Sequence, residues 1–418
     1  MSVFPKKFVS HISLIFTLLI FIAACNPTLK ITGMDISSLY SEQRGNLLQI
    51  NQLYHINDTA SIISIGIPAG LILPDPGTKR YTRKGILKYE IIGQGKHIGL
   101  IDSATFAIAD TTDYQNYISH TWTFRASSAM NYFVKATYSV PGIADDFLLL
   151  EFFSKENHFS QSWYRFQHES GEYMSGNIIS YPEKLRLVSE DTTQRSFLVK
   201  LYSRNFPTPL PPFADKYRDP FNYLPDSTFT LELYNGKSAY FAPDQAGFYF
   251  FQSDTSVFQG PSLFRMETGF PKVTRHSQMR DALRYITTSN EFQQLSAYQI
   301  PKVAVDSFWI SNSGRPDIAS ELIRKYYQRV ETANKLYTSF TDGWKTDRGM
   351  IFIVLGKPST VFRSFDQEVW IYGEYDDLKA LRFYFNKIQN PFTNNDYVLI
   401  RDEYYKAAWY QNVQLWRR

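Results

Sequence analysis

The chain has 418 residues with 44 basic side chains against 40 acidic ones, and a formal charge of +4 gives no electrostatic reason to expect nucleic acid. Its single cysteine excludes disulfides within the chain and any cysteine-ligated metal site. Aromatic residues make up 17% of the chain, mostly Tyr and Phe, which suits half-buried pleated strands and equally suits sugar-binding proteins. This length predicts two or three domains.

The N-terminus has Lys6 and Lys7, an apolar stretch around Ile12 to Ile22, and Ala23-Ala24-Cys25. A positive start, a short apolar run and small residues before a cut are the parts of a secretory signal. The run is shorter than the ~20 residues a spanning helix needs. The spacing Ile22-Ala23-Ala24-Cys25 resembles the lipobox of bacterial lipoproteins. That resemblance implies residues 1–24 as a cleaved signal peptide, a diacylglyceryl group on the sulfur of Cys25, and acylation (palmitate or a similar chain) of the new amino terminus. Each buried methylene contributes about 0.8 kcal/mol, so several chains hold firmly to a membrane. The following Asn26-Pro27-Thr28-Leu29-Lys30 has neither the acidic cluster of a surface-export signal nor the aspartate associated with inner-membrane retention. An outer-membrane lipoprotein facing the periplasm is therefore expected. Residues 25–45 are polar and weakly patterned, and are expected to be a tether.

From 46 to 155 the pattern predicts a β-sandwich-like, immunoglobulin-like module. Ile63, Ile65 and Ile67 alternate with Ser64 and Gly66, the period of a half-buried strand. Leu71 to Leu73 is stopped by Pro74-Asp75-Pro76-Gly77. Further strands are predicted at Ile86 to Ile92, Ala104 to Ala109, His120 to Ala126, Tyr132 to Val140 and Phe147 to Phe153. A second β-rich module, 156–268, is predicted from Ile178 to Tyr181, Leu185 to Val188, Phe197 to Tyr202, Phe229 to Tyr234 and Phe248 to Gln252. Between its strands, Phe206-Pro207-Thr208-Pro209-Leu210-Pro211-Pro212 must be extended and reads as a rigid loop.

Residues 269–418 change texture to α+β. Met279, Leu283 and Ile286 keep helical spacing, as do Ile318, Leu322, Tyr326, Val330, Ala333 and Tyr337. Pro316 and Asp317 suit the start of the second helix, and Asp342-Gly343 is expected to stop it, glycine supplying a left-handed cap. Strands are predicted at Met350 to Leu355, Val361 to Phe365, Val369 to Tyr372, Leu381 to Phe385 and Tyr397 to Ile400. Tyr404 to Trp416 is predicted to close the chain as an amphipathic helix.

Gly343-Trp344-Lys345-Thr346-Asp347-Arg348-Gly349 resembles the signature of the GWxTD domain, found in envelope lipoproteins of Bacteroidota and in Acidobacteriota. Leu283 to Ile286, Tyr327 to Val330, Ala333-Asn334, Ile353 to Pro358, Glu368 to Tyr372 and Trp416-Arg417 extend the resemblance over about 270 to 418. It implies a domain and its usual β-rich companion, and names no reaction. The residue types leave two readings of the motif open. One is a fold-defining corner on a helix-to-strand turn, with Trp344 as apolar anchor and Thr346 or Asp347 bonding backbone amides. The other is a ligand site in which Arg348, near Asp347, binds an anion and Trp344 or Trp370 stacks on a sugar or peptide.

No catalytic set emerges. His55, His97, His120, His158, His168 and His276 do not pair at helical zinc spacing, and Gly-x-Ser-x-Gly is absent. Gly93-Gln94-Gly95-Lys96 lacks phosphate-loop spacing and reads as a hairpin turn. Asp145-Asp146 and Asp376-Asp377 read as solvated turn residues. The expectation is a non-enzymatic envelope component with no cofactor and no metal, assembling with a protein partner. Polysaccharide or peptidoglycan binding is the alternative, and a carboxylate-site enzyme the third.

Overall fold

The computed structural model describes residues 35–40, 48–68, 82–94, 99–111, 117–143, 146–156, 158–216 and 218–417. The signal segment, Cys25, the Leu71 to Gly77 turn, His97 and Asp145 lie outside the described residues.

The first module has seven strands, β1 (Gln49–His55), β2 (Ala60–Pro68), β3 (Thr82–Gln94), β4 (Gly99–Thr111), β5 (Tyr117–Arg125), β6 (Asn131–Ser139) and β7 (Phe147–Ser154). They form two antiparallel sheets, β1-β2-β5 and β4-β3-β6-β7. Ile63 and Ile65 of β2, Leu87 and Ile91 of β3 and Phe124 of β5 share one core, so the sheets close as a sandwich. The order is immunoglobulin-like, with the fourth strand beside the third rather than in the opposite sheet. β1 (QINQLYH) is too polar to announce itself by alternation.

The second module is β-rich, as its pattern predicts, and is built on a single sheet. Its eight strands are β8 (Arg165–His168), β9 (Ile178–Ile179), β10 (Leu185–Val188), β11 (Arg195–Tyr202), β12 (Ser227–Tyr234), β13 (Lys237–Ser238), β14 (Gly247–Gln252) and β15 (Ser262–Arg265). They make one sheet of order β8-β10-β13-β12-β11-β14-β15-β9. Phe166 at one edge and Ile179 at the other join Phe197, Val199 and Leu233 in a single core, so the sheet curls over its own apolar face. Strand β14, Gly-Phe-Tyr-Phe-Phe-Gln, is apolar on both faces because both are covered. Tyr249 and Phe251 point into that core, while Phe248 and Phe250 meet Phe340 and Phe392 of the last domain.

The last domain holds α1 (His276–Ala282), α2 (Ser289–Ala297), α3 (Pro301–Ser313), α4 (Pro316–Tyr337), α5 (Asp347–Leu355) and α6 (Tyr405–Leu415). Its antiparallel sheet is β16 (Thr360–Arg363), β17 (Gln367–Tyr372), β18 (Leu381–Lys387) and β19 (Tyr397–Leu399), in that order. Helices α2 and α3 escape a periodicity reading. In α2 only Leu295 is buried, and the apolar residues of α3 lie on both its buried and exposed sides.

Three expectations are corrected here. Met350 to Leu355 is not a strand but most of α5: Thr346 caps it by accepting from the Gly349 N–H at 3.0 Å, and Asp347 sits in its first turn. Every residue from Asp347 to Val354 is buried, so no polar face marks the helical period, and a short apolar run reads alike as helix or strand. Gly343 does not cap α4, which ends at Tyr337; it lies in a 3-10 turn, Gly343–Lys345. Finally, residues 35–40 are not part of a free tether. Ile36 is fully buried and Tyr40 nearly so, both within a core that the last domain shares with Phe133, Leu148 and Leu150 of the first module.

Candidate functional site

Each letter of the Gly343–Gly349 motif has a local physical cause. A Cβ on Gly343 would lie 2.0 Å from the Ala333 carbonyl oxygen, so only glycine lets the turn lie against α4. A Cβ on Gly349 would lie 1.9 Å from the Gly343 carbonyl oxygen, so the first turn of α5 likewise needs glycine. Asn334 on α4 accepts from the Trp344 N–H at 3.1 Å and donates to the Pro271 carbonyl at 2.8 Å. Trp344 is 1% exposed, and its carbonyl accepts from the Tyr285 hydroxyl at 2.7 Å. Lys345 pairs with Asp342 at 3.1 Å at the rim of the turn. Thr346 donates to the Gly343 carbonyl at 2.7 Å while capping α5.

The two charged motif residues point to different parts of the molecule. Asp347 accepts from the Leu399 N–H at 2.9 Å and from Arg401 at 2.6 Å. Arg401 in turn donates to the Leu210 carbonyl at 3.1 Å, in the proline-rich loop of the second module. Burial pushes the Asp347 carboxyl above its ordinary value even though Arg401 pulls it down. Arg348 lies over the Tyr397 ring at 3.9 Å, donates to the Asn395 carbonyl at 3.0 Å, and meets Glu368 at 3.3 Å. Asn395 also donates to the Thr338 carbonyl at 2.8 Å, just past the end of α4.

Glu368 on β17 is the hub of this network. It has no solvent exposure and accepts from Tyr40 at 2.6 Å, Trp370 Nε1 at 2.6 Å, Arg363 at 2.9 Å and Arg348. Burial alone would raise its carboxyl, but Arg363 and Arg348 outweigh that and hold it below the ordinary range. Tyr40 comes from the N-terminal segment, so one buried carboxylate joins the motif arginine, the sheet and a residue more than three hundred positions upstream.

The structure thus gathers Trp344, Asp347, Arg348 and Trp370 into one domain core, but buries all four. Stacking on a sugar needs an open aromatic face. Trp370 is fully buried between Tyr40, Tyr337 and Phe385, so neither tryptophan offers such a face. Arg348 is likewise already saturated with protein acceptors. Sequence reasoning missed Glu368, Arg401, Asn334, Asn395 and Tyr40. Glu368 and Asn334 stand in stretches of the family resemblance, which was the available signal. Nothing local marks Arg401, Asn395 and Tyr40, because their partners are distant in sequence.

The open feature is elsewhere. A cleft of about 790 Å³ lies between the three modules. Asn131 and Glu151 of the first module, Asn177 and Gln259 of the second, and Asn390 and Asn394 of the last line it, with several phenylalanines between. Lys387 projects into it over the Phe152 ring at 4.2 Å, and burial lowers its ammonium to about 8. Glu151 is open to the cleft yet walled in by protein, which raises its carboxyl. Among the described residues no group of His, Cys, Asp and Glu is arranged to hold a metal, and no helix is long and apolar enough to cross a membrane.

These features define a multi-module protein in which two β modules and an N-terminal segment are clasped by a terminal α+β domain. Residues 247–418 match the GWxTD domain, and the chain carries that domain. The match opens at β14, inside the curled sheet, where Phe248 and Phe264 already pack toward the last domain. No curated protein matches the chain.

Proposed function

We propose that the protein is a non-enzymatic assembly component of the bacterial cell envelope, lipid-anchored through Cys25 to the outer membrane and facing the periplasm. The carrying observation is that the motif's charged pair acts as a clasp: Asp347 reaches the second module through Arg401, and Arg348 reaches the N-terminal segment through Glu368. A domain whose signature holds other modules in register suits a scaffold presenting surfaces to a protein partner. Cys25 precedes Asp35 by ten residues, a reach of at most ~36 Å, so an anchor there would keep the clasped body near the membrane. Isolation from native membranes after mild crosslinking should return a reproducible protein partner, together with a lipid-modified Cys25 seen by mass spectrometry of the N-terminal peptide. Repeated recovery of the unmodified monomer alone would overturn the reading.

The cleft favours a second reading, a glycan or peptidoglycan ligand, because amide side chains interleaved with aromatic rings suit polyhydroxylated molecules. Binding of purified full-length protein to polysaccharide and peptidoglycan fragments, lost in Glu151→Gln and Asn394→Ala but kept in wild type, would establish it. Absence of any binding by the wild type would dismiss it.

A further inference from the structure

The segment Asp35–Tyr40 is held as a bound peptide is held. The Ile36 N–H donates to the Val361 carbonyl at 2.9 Å, and the Asp35 carboxylate accepts from the Val361 N–H at 2.8 Å. Val361 lies on β16, the edge strand of the last sheet, so these two bonds satisfy main-chain groups that face away from β17. The same carboxylate accepts from the Ser37 N–H at 2.8 Å and the Ser37 hydroxyl at 3.0 Å, which starts the 3-10 turn Ser37–Tyr40. That turn carries Tyr40 four residues on from Ile36, and both side chains drop into the domain. The Tyr40 ring lies 5.5 Å from both Tyr337 and Trp370, and its hydroxyl donates to Glu368 while accepting from Arg363.

The receiving groups do not depend on the segment. Glu368 is fixed by Arg348, Arg363 and Trp370 Nε1, all within the last domain, so the acceptor for the tyrosine hydroxyl is preorganised. Edge pairing fixes direction, an apolar residue fills one hole, and a phenol on a buried carboxylate fixes register. These are elements of peptide recognition, with one main-chain bond and one side-chain bond to the open edge of β16 in place of a full added strand.

We propose that the GWxTD domain carries a receptor slot for a short peptide folded into a single 3-10 turn, bearing Asp, an apolar residue next to it and Tyr five positions on, and that this slot is filled by the chain's own residues 35–40 and exchanges them for the same segment supplied in trans. The proposal rests on the geometry of the last domain, with Leu148 and Leu150 of the first module closing the other side of the slot, and is independent of anchoring at Cys25. The slot lets one copy's N-terminal segment engage another copy's domain, so that the clasp and the assembly use the same contact.

The test uses the full chain and a fluorescent peptide of residues 34–41. In the variant Ile36→Asp/Tyr40→Ala the internal occupant is spoiled, and the peptide should bind saturably. Binding to wild type should be weaker by at least roughly tenfold, because a tethered segment competes at about millimolar effective concentration. A peptide with Tyr40→Phe, lacking the donor to Glu368, should bind less well to the variant. If the variant proves unfolded by circular dichroism, a second form keeps the native slot and carries a protease site between Tyr40 and Leu48. After cleavage, the labelled peptide should displace the cut segment and reach saturation. No binding by a folded variant, or no exchange after cleavage, overturns the proposal and leaves residues 35–40 as a fixed part of the fold.

Discussion

Gly349→Ala sets two physical effects against each other. Gly349 lies inside α5, where alanine is intrinsically the better helix former by about 1 kcal/mol, so propensity alone predicts a more stable protein. The new Cβ, however, would stand 1.9 Å from the Gly343 carbonyl oxygen and 3.1 Å from the Trp344 Cα, both backbone atoms of a buried turn. Neither can rotate aside. Overpacking of this kind costs about 1–3 kcal/mol, and displacing the Gly343 carbonyl also loosens the Thr346 bond it accepts, worth about 1 kcal/mol. Taking the upper overpacking figure, the clash wins and the net loss is about 3 kcal/mol. For a domain of this size that lowers its melting temperature by roughly 6–12 °C. Differential scanning calorimetry of the full chain, following the transition that carries the tryptophan fluorescence change, would measure it. A Gly349→Ala protein as stable as wild type, or more so, would refute the close-approach account of the motif.

Three further outcomes are expected. Glu368→Ala leaves Arg348 and Arg363 buried against an empty site, which should cost about 3–5 kcal/mol, whereas Lys302→Ala, in an exposed pair with Asp306, serves as a mild control; equal melting temperatures for the two would contradict the hub. Trp344→Ala should cost about 3–5 kcal/mol by cavity formation; a loss of glycan binding at unchanged melting temperature would instead make Trp344 a ligand residue. Donation by Arg417, with the Thr288 cap, holds the Glu291 carboxyl at about 2. Its folded value lies below the ordinary ~4.3, so its contribution is complete above that pH and is lost as pH falls toward 2. Arg417→Ala should therefore flatten the fall in stability across that acid window, and an unchanged profile in urea titrations at pH 5, 4 and 3 would speak against the pair.

The strands of the sandwich and the last sheet were legible because each buries one regular face, as Ile63, Ile65 and Ile67 do beside Ser64. Helix α4 was legible for the same reason, with Pro316 at its start and Tyr326, Val330 and Tyr337 on one buried side. The glycines and tryptophan of the motif could be assigned a corner role from residue type alone. Helix α5 could not be told from a strand, since a segment buried all round shows no period.

The sequence by itself determined the local grammar: where period-two runs form strands, where proline and aspartate open a helix, and that Gly343, Trp344 and Gly349 make a tight, apolar corner. Tertiary structure alone decided which charges meet. Asp347 could have paired with its neighbour Arg348, yet takes Arg401, while Arg348 takes Glu368. It also turned an apparent tether into a buried strap through Ile36 and Tyr40, and curled the second β-rich module into one sheet. Local patterns report which face of an element is apolar. The pairing of buried charges depends on which distant backbone brings a carboxylate and a guanidinium into the same dry space, and no window of sequence contains that information.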